Sequence, residues 1–199
     1  MKSVKFTALL LAGLAMSFAS YAQDGSTKVK SKPGKMKMKG KTVMVGGAAM
    51  YPTKTIVENA VNSADHTTLV AAVKAAGLVE TLSGKGPFTV FAPTNAAFNL
   101  LPAGTVESLV KPENKGTLTT ILTYHVVPGR LDSKALAKMI ADGNGSYEMT
   151  TAQGGRLWIM AKGKDLFLKD EKGGMAQITI RDVYQSNGVI HVIDHVLMP

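Results

Sequence analysis

The sequence has 199 residues, with 23 Lys and Arg against 14 Asp and Glu, a formal net charge of +9 and no cysteine. The lack of cysteine excludes disulfide bonds and a cysteine nucleophile, so the folded part depends on its own core for stability. Residues 42–199 are enough for one domain, which at that length buries about two thirds of its unfolded surface.

Residues 1–22 have the pattern of an export signal. Lys2 and Lys5 precede an apolar run, Phe6–Ala19, and Ser20–Ala22 places small side chains at the minus-three and minus-one positions of a cleavage site. The run is shorter than the ~20 residues that a membrane-spanning helix needs, which favours a cleaved signal over an uncleaved anchor. No cysteine follows the site to carry a lipid. We therefore expect an exported protein, located in the periplasm, at the cell surface or outside the cell, with no transmembrane span after cleavage.

Most of the net positive charge lies in residues 23–41. Residues 42–199 hold 14 basic and 13 acidic side chains, once Lys2, Lys5, Asp24 and the lysines of this segment are subtracted from the totals. A nearly neutral domain does not predict nucleic-acid binding. We expect the segment to be a flexible, self-repelling linker; the alternative is contact with polyanions, such as acidic polysaccharide or anionic lipid headgroups. The candidates for that contact are its seven lysines: Lys28, Lys30, Lys32, Lys35, Lys37, Lys39 and Lys41.

Apolar residues at helical spacing dominate the first part of the domain. Thr55 and Glu58 have the spacing of a capping box, which predicts the start of a helix. Asp65 is expected to cap a second helix, which ends at Gly77. Later helices are predicted at three places: Val106–Val110, from about Asn114, and Ser133–Ile140.

Strand signals occur at two places. Phe88–Phe98, FTVFAPTNAAF, indicates a short buried strand that turns at Pro93 into a helix over Asn95–Leu101. Nearer the end, glycine-rich turns predict an antiparallel meander whose last hairpin carries an Asn-Gly turn signal at Asn187-Gly188. The closing strand is apolar on both faces, so we expect it in the centre of the core. Helices followed by strands indicate an α+β fold. The meander strands are Tyr147–Thr151, Arg156–Ala161, Asp165–Lys169, Ala176–Tyr184 and Gly188–Met198.

Three ordered motifs resemble those of the fasciclin domain: FTVFAPTNAAF, then YHVVPG at Tyr124–Gly129, then NGVIHVIDHVLMP at Asn187–Pro199. The resemblance covers roughly Thr53–Pro199. It implies an α+β fold built as a wedge-shaped antiparallel β-sandwich with several packed helices, in which the first and last motifs lie close together. The family occurs on secreted and cell-surface proteins and is associated with cell adhesion.

The resemblance also points to candidate partner-binding residues. The Tyr-His motif of animal fasciclin domains is implicated in integrin binding, and it corresponds here to Tyr124 and His125. A second such segment corresponds to Asp182, Val183 and Tyr184, although an arginine precedes it where the animal motif has proline. From the residues alone, His125 continues an apolar helical stripe, which favours a buried, hydrogen-bonded histidine instead of a binding residue.

The segment His191–His195, HVIDH, fits loosely an inverted zinc-protease pattern. That pattern works on a helix, whereas the β-branched residues here favour a strand. Four residues at ~3.3 Å each would separate the two rings by about 13 Å, too far for one Zn²⁺ ion. We therefore expect no metal site, and both histidines to pack and hydrogen-bond within the sheet.

No catalytic or cofactor-binding motif is recognised in the chain. We expect a module without enzymatic activity or cofactor that binds an extracellular or envelope protein or polysaccharide. The alternatives are an exported small-molecule-binding protein or enzyme, which requires a convergent polar pocket, and a structural envelope protein without a specific partner.

Overall fold

The computed structural model describes residues 42–199, so the expectations for the signal, the linker and its seven lysines lie outside the described residues. The described chain forms seven α-helices and nine strands. The helices are α1 Ile56–Ala60, α2 Thr67–Ala76, α3 Val79–Ser83, α4 Asn95–Asn99, α5 Thr105–Leu109, α6 Lys115–Tyr124 and α7 Ser133–Asp142. The strands are β1 Val43–Val45, β2 Ala48–Met50, β3 Phe88–Pro93, β4 Val126–Pro128, β5 Ser146–Thr150, β6 Arg156–Lys162, β7 Asp165–Lys169, β8 Met175–Gln185 and β9 Gly188–Ile193.

Seven strands form one sheet in the order β4-β3-β9-β8-β7-β6-β5, and β1 pairs with β2 in a separate hairpin. The α+β fold and the antiparallel meander from β5 to β9 are confirmed. One strand pair is parallel: β3 and β9 run in the same direction. The sheet is nearly closed: the Ala152 N–H beyond β5 donates to the Val126 carbonyl of β4 at 2.7 Å, joining its two outer strands.

The first and last motifs lie side by side, as the resemblance implies, since Phe91 pairs with His191 across β3 and β9. Every residue of β9 is buried, which confirms its central position. The strand ends at Ile193 and not at Met198, because the last residues leave the ladder and bond to side chains. The Leu197 N–H donates to His125 and the Met198 N–H donates to a buried aspartate.

The last hairpin has a two-residue loop, but its position differs from the Asn-Gly signal. Gln185 pairs with Gly188, so the loop consists of Ser186 and Asn187. Gly188 lies within β9, where a Cβ atom would come 2.1 Å from the carbonyl oxygen of Phe88. Glycine is therefore required for the close approach of β3 to β9, not for the turn itself.

The helix ends show which local sequence signals predict a helix cap correctly. The capping box of Thr55 and Glu58 is present at α1, and Gly77 ends α2 with a left-handed φ of 74°. The expected cap by Asp65 is wrong, since this residue lies in a short 3-10 turn before α2. Asn95 of α4 supplies the cap instead, because its side-chain oxygen accepts the Thr68 N–H at 3.0 Å.

The segment after α6 forms a short strand. Val126–Pro128 is β4, which pairs antiparallel with β3. The buried side chains of the domain divide into two clusters, and β3 separates them: Val90 packs into a cluster beneath the first helices, whereas Phe91 packs into a cluster inside the meander. The two faces of β3 and β9 thus connect the helical half to the strand half.

No helix in residues 42–199 is long and apolar enough to cross a lipid bilayer.

Candidate functional site

Tyr124, the last residue of α6, is fully buried. Its hydroxyl donates to the carbonyl of Arg156 and accepts the backbone N–H of Glu171 at 3.2 Å. Burial is the main cause that raises the pKa of the Tyr124 phenol. The side chain therefore fastens α6 to the ends of β6 and β7, and a partner cannot reach it in the folded domain.

His125 is the buried, hydrogen-bonded histidine that the apolar stripe predicts. Its Nδ1 atom lies 2.8 Å from the carbonyl of Ile121, and its Nε2 atom lies 3.0 Å from the backbone nitrogen of Leu197. The carbonyl requires a donor and the N–H an acceptor, so the ring is neutral with its proton on Nδ1. Burial lowers the pKa of His125 to about 4.

Asp182, Val183 and Tyr184 lie where β8 is irregular, and Asp182 has a positive φ of 59°. The Asp182 carboxylate accepts the backbone N–H of Ser133 at 2.6 Å and also the Ser133 hydroxyl. The Tyr184 hydroxyl donates to Asp132 at 3.2 Å, while Val183 is buried in the cluster beneath the first helices. This segment therefore holds the N-terminus of α7 against the sheet.

His191 completes the same attachment. Its Nε2 atom donates to the carbonyl of Leu131 at 2.8 Å, and its ring stacks on Phe91 with 5.8 Å between centroids. Burial lowers the pKa of His191, so the ring is neutral at ordinary pH. His191 occupies the strand position expected of it, but His195 does not: it lies beyond the end of β9, exposed, with Nδ1 2.9 Å from Asp194. Within the described part of the chain, no three His, Cys, Asp or Glu side chains are grouped to hold a metal ion.

The five sequence-predicted residues therefore lie at two places. Tyr124 and His125 attach α6 to the meander and to the C-terminal segment, whereas Asp182 and Tyr184 bond to consecutive residues at the start of α7. Asp182 and Tyr184 are half-buried; the other three are buried.

Two residues that complete the exposed part of this region are not predicted from the sequence. Asp132 caps α7 through the Ala135 N–H and accepts the Tyr184 hydroxyl. The Arg130 guanidinium donates to the carbonyls of Gln185 and Ser186 at 3.0 and 3.3 Å. Asp132 directly precedes a predicted helix, a position that indicates a helix cap. No pattern in the nearby sequence indicates that Arg130 contacts the β8–β9 loop. We call Arg130, Asp132, Asp182 and Tyr184 the α7 corner.

An open groove of about 700 Å³ adjoins the α7 corner at Arg130. Its wall also contains Lys85, Pro87 and Ser186. The α7 corner and this groove together offer carboxylate, guanidinium, ammonium and phenol groups, which suit a polar partner. By contrast, a cavity under the first helices measures about 40 Å³, smaller than the ~150 Å³ cavity that admits benzene.

Comparison with known proteins gives the class of fold first. A solved FAS1 domain pair from the insect cell adhesion molecule fasciclin I matches with a TM-score of 0.65 at 18% identity, over 73% of this chain and 51% of that one. The fold is therefore an α+β FAS1 fold.

Sequence comparison then gives the family. The family model for the fasciclin domain matches residues 64–199. The chain is 46% identical to protein sll1483 of Synechocystis, over 98% of this chain and 95% of that protein. It is 36% identical to the cell surface glycolipoprotein MPB83 of Mycobacterium bovis, over 78% of this chain and 64% of that protein. The chain belongs to the fasciclin-domain family, whose members are known as adhesion and cell-surface proteins.

Proposed function

We propose that this protein is an exported adhesion module that acts without catalysis and binds an extracellular or envelope protein or polysaccharide. The fasciclin family supports the adhesive role, and the export signal expected in residues 1–22 supports the location. The relative MPB83 is described as a cell surface glycolipoprotein, which agrees with action outside the cytoplasm.

The observation that carries this proposal is the construction of the α7 corner. Its carboxylates and phenol are half-buried and accessible, and they are fixed by hydrogen bonds to the start of α7. Polar groups already held in place lose little conformational entropy on binding. The Tyr184 hydroxyl is directed at Asp132, while Arg130 is held by the β8–β9 loop. The corner thus offers both signs of charge from a rigid surface.

A binding comparison tests this proposal. The purified protein is passed over immobilised envelope and extracellular matrix material, and the retained amounts of the parent, Arg130→Ala and Lys111→Ala are compared. Both variants remove one exposed positive charge, but Lys111 lies in the Pro112 turn before α6, outside the corner. We expect Arg130→Ala to bind several-fold more weakly and Lys111→Ala to bind like the parent. Equal retention of the two variants would remove the α7 corner as the binding surface.

We also propose that residues 23–41 make a secondary contact with polyanions. Seven lysines in a segment with a single acidic residue provide the charge, and such contact depends on ionic strength. This contact adds to the proposed adhesion and does not replace it.

A further inference from the structure

The meander has an outer face that neither core cluster uses. Along β5 to β8 the side chains alternate, and residues such as Leu157, Ile159 and Leu168 point into the meander cluster. Their neighbours therefore point outward. The strand register aligns the outward residues in two rows across the four strands: Ser146, Met160, Phe167 and Gln177 in one row, and Glu148, Trp158, Lys169 and Met175 in the other.

The apolar members of these rows are large and accessible. Trp158, Met160 and Phe167 are half-buried and belong to neither core cluster, and Met175 is 43% exposed. Helix α7 packs on the opposite side, since Leu136 lies in the meander cluster. Large apolar side chains grouped on a protein surface, with polar residues around them, mark interaction sites.

Trp158 also forms one wall of an open groove of about 370 Å³. The groove is lined by Ser146, Met160, Lys169, Glu171 and Lys172 in addition to the indole. Its volume falls within the ~300–1,000 Å³ of small-ligand sites. One wall is therefore aromatic and apolar, and the other carries hydrogen-bonding and charged groups.

The polar wall is held in place by the core beneath it. The Glu171 carboxylate accepts the Arg156 N–H at 2.7 Å, and the Glu171 N–H is bound by the buried Tyr124 hydroxyl. Buried Asp170 fixes the β7–β8 turn by accepting the N–H groups of Gly174 and Met198 at 2.6 and 3.0 Å. The groove is thus built before any ligand arrives, which reduces the entropic cost of binding.

The chemistry of the groove matches a sugar. A pyranose ring has apolar C–H faces and a rim of hydroxyl groups, so it needs an aromatic surface beside donors and acceptors. Trp158 supplies the surface, Lys169 and Lys172 supply donors, and Glu171 supplies an acceptor. Glu148, the partner of Trp158 on β5, lies beside the groove and offers a further carboxylate. Among the residues that line the groove, the ammonium groups of Lys169 and Lys172 balance the carboxylates of Asp170 and Glu171, which favours an uncharged ligand over a polyanion.

We propose that the outer face of β5–β8 binds a neutral polysaccharide, with one pyranose ring stacked on Trp158. This inference rests on the proposed adhesion function and names its partner class and site. The meander would bind neutral glycans, whereas the lysines of residues 23–41 would bind acidic polymers.

Because the chain has a single tryptophan, its fluorescence reports on this groove directly. The purified protein is titrated with three neutral glycans, a soluble β-glucan, a maltodextrin and a galactomannan, and with dextran sulfate as the charged comparison. We expect a saturable change in emission with at least one neutral glycan that persists at high salt. No response to any of the three would overturn the inference.

Variants locate the site, with calorimetry as the binding measurement. We expect Trp158→Ala to weaken glycan binding about tenfold or more, the loss of one stacked ring. Tyr147→Ala is the matched control, because Tyr147 is an exposed aromatic residue of β5 on the other side of the alternation; we expect it to bind like the parent. If Trp158→Ala does not fold, Lys169→Ala, an exposed residue of the same row, replaces it with an expected loss of several-fold.

Repeating the retention experiment on envelope material distinguishes failure of the sugar site from failure of the proposed adhesion function. If no glycan gives a response while Arg130→Ala still lowers retention, the sugar site is contradicted and the adhesion proposal stands. Loss of retention of an envelope protein in Trp158→Ala, without any glycan response, would instead assign this face to a protein partner and overturn the inference.

Discussion

The Nε2 atom of His125 accepts a hydrogen bond from the backbone N–H of Leu197 at 3.0 Å, which ties the end of α6 to the C-terminal segment. The opposite ring nitrogen donates to Ile121 at 2.8 Å. The bond from Leu197 requires a neutral ring, because protonation would turn its Nε2 acceptor into a second donor. The Tyr-His motif is thus a structural joint in this domain.

The free energy of unfolding should therefore fall in acid. Burial lowers the pKa of His125 from 6.5 to about 4, so between these values the unfolded state binds more protons than the folded state. The stabilisation is complete above pH 6.5, declines as the pH falls and is lost near pH 4, by about 3 kcal/mol. Burial lowers the pKa of His66 and His191 as well, which adds to the same slope.

Denaturant unfolding at a series of pH values checks this expectation. Carboxylates also titrate at the lower end of this window, so the comparison is with His125→Gln, which cannot be protonated. The variant should be less stable at neutral pH and show a shallower slope. Parallel pH profiles for the two proteins would contradict the assignment to His125.

Replacing His125 by alanine should lower stability by about 2–4 kcal/mol, because the Ile121 carbonyl and the Leu197 N–H lose their partners inside the core. Thermal melting and retention on envelope material are measured together. We expect the melting temperature to fall, and retention measured well below the melting temperature to persist. An unchanged melting temperature with lost adhesion would show that His125 binds the partner itself.

Tyr124→Phe keeps the ring but removes the hydroxyl that bonds to Arg156 and Glu171. Two part-buried backbone groups lose their partner, which should cost about 1–3 kcal/mol in unfolding free energy. Tyr147→Phe is the matched control, because Tyr147 is 37% exposed and its hydroxyl is accessible to water. Equal stabilities of the two variants would refute the anchoring role of Tyr124.

A pair of glycine substitutions tests the contact between β3 and β9. A Cβ atom at Gly188 would lie 2.1 Å from the Phe88 carbonyl oxygen, so Gly188→Ala must separate the strands and should cost about 3 kcal/mol or more. At Gly116 in α6 no atom lies within 4 Å of the added Cβ, and alanine should stabilise the helix by up to about 1 kcal/mol. Chemical unfolding of both variants measures these changes in the free energy of unfolding. A small loss of stability in Gly188→Ala would contradict the close pairing of β3 and β9.

The lysine segment predicts salt-dependent retention on a polyanion. The full protein should bind a heparin-type column at low salt and elute as salt rises past ~0.15 M, where screening acts within ~8 Å. A form that starts at Thr42 should pass through, since residues 42–199 are nearly neutral. A variant with the seven lysines changed to glutamine controls for segment length. Equal retention of all three forms would exclude the contact.

Short-range signals allowed much of the fold to be predicted from sequence. The capping box of Thr55 and Glu58 and the left-handed Gly77 depend on groups a few residues apart, so their meaning is local. The Asn95 cap of α2 and the pairing of β4 with β3 join residues distant along the chain, and no local pattern encodes them. The same holds for the segment after β9, where the Leu197 N–H bonds to the distant His125 ring.

The candidate site was predictable only in part. Asp182 and Tyr184 were found by resemblance, but their roles at α7 depend on contacts with residues 49 and 52 positions away. The run Leu157-Trp158-Ile159-Met160 is apolar at every position, so its alternation does not show which side chains face water. Only the register with β5 and β7 separates the outward indole from the buried aliphatic side chains.

The nearly closed sheet has a consequence for the proposed adhesion. An open sheet edge invites strands of other chains to pair with it, which leads to aggregation. Here β4 is three residues long and ends in Pro128, and its Val126 carbonyl is already occupied by the Ala152 N–H. Pairing of foreign strands with the edge of this sheet at β4 is therefore suppressed, and we expect the proposed adhesion to be made by side chains.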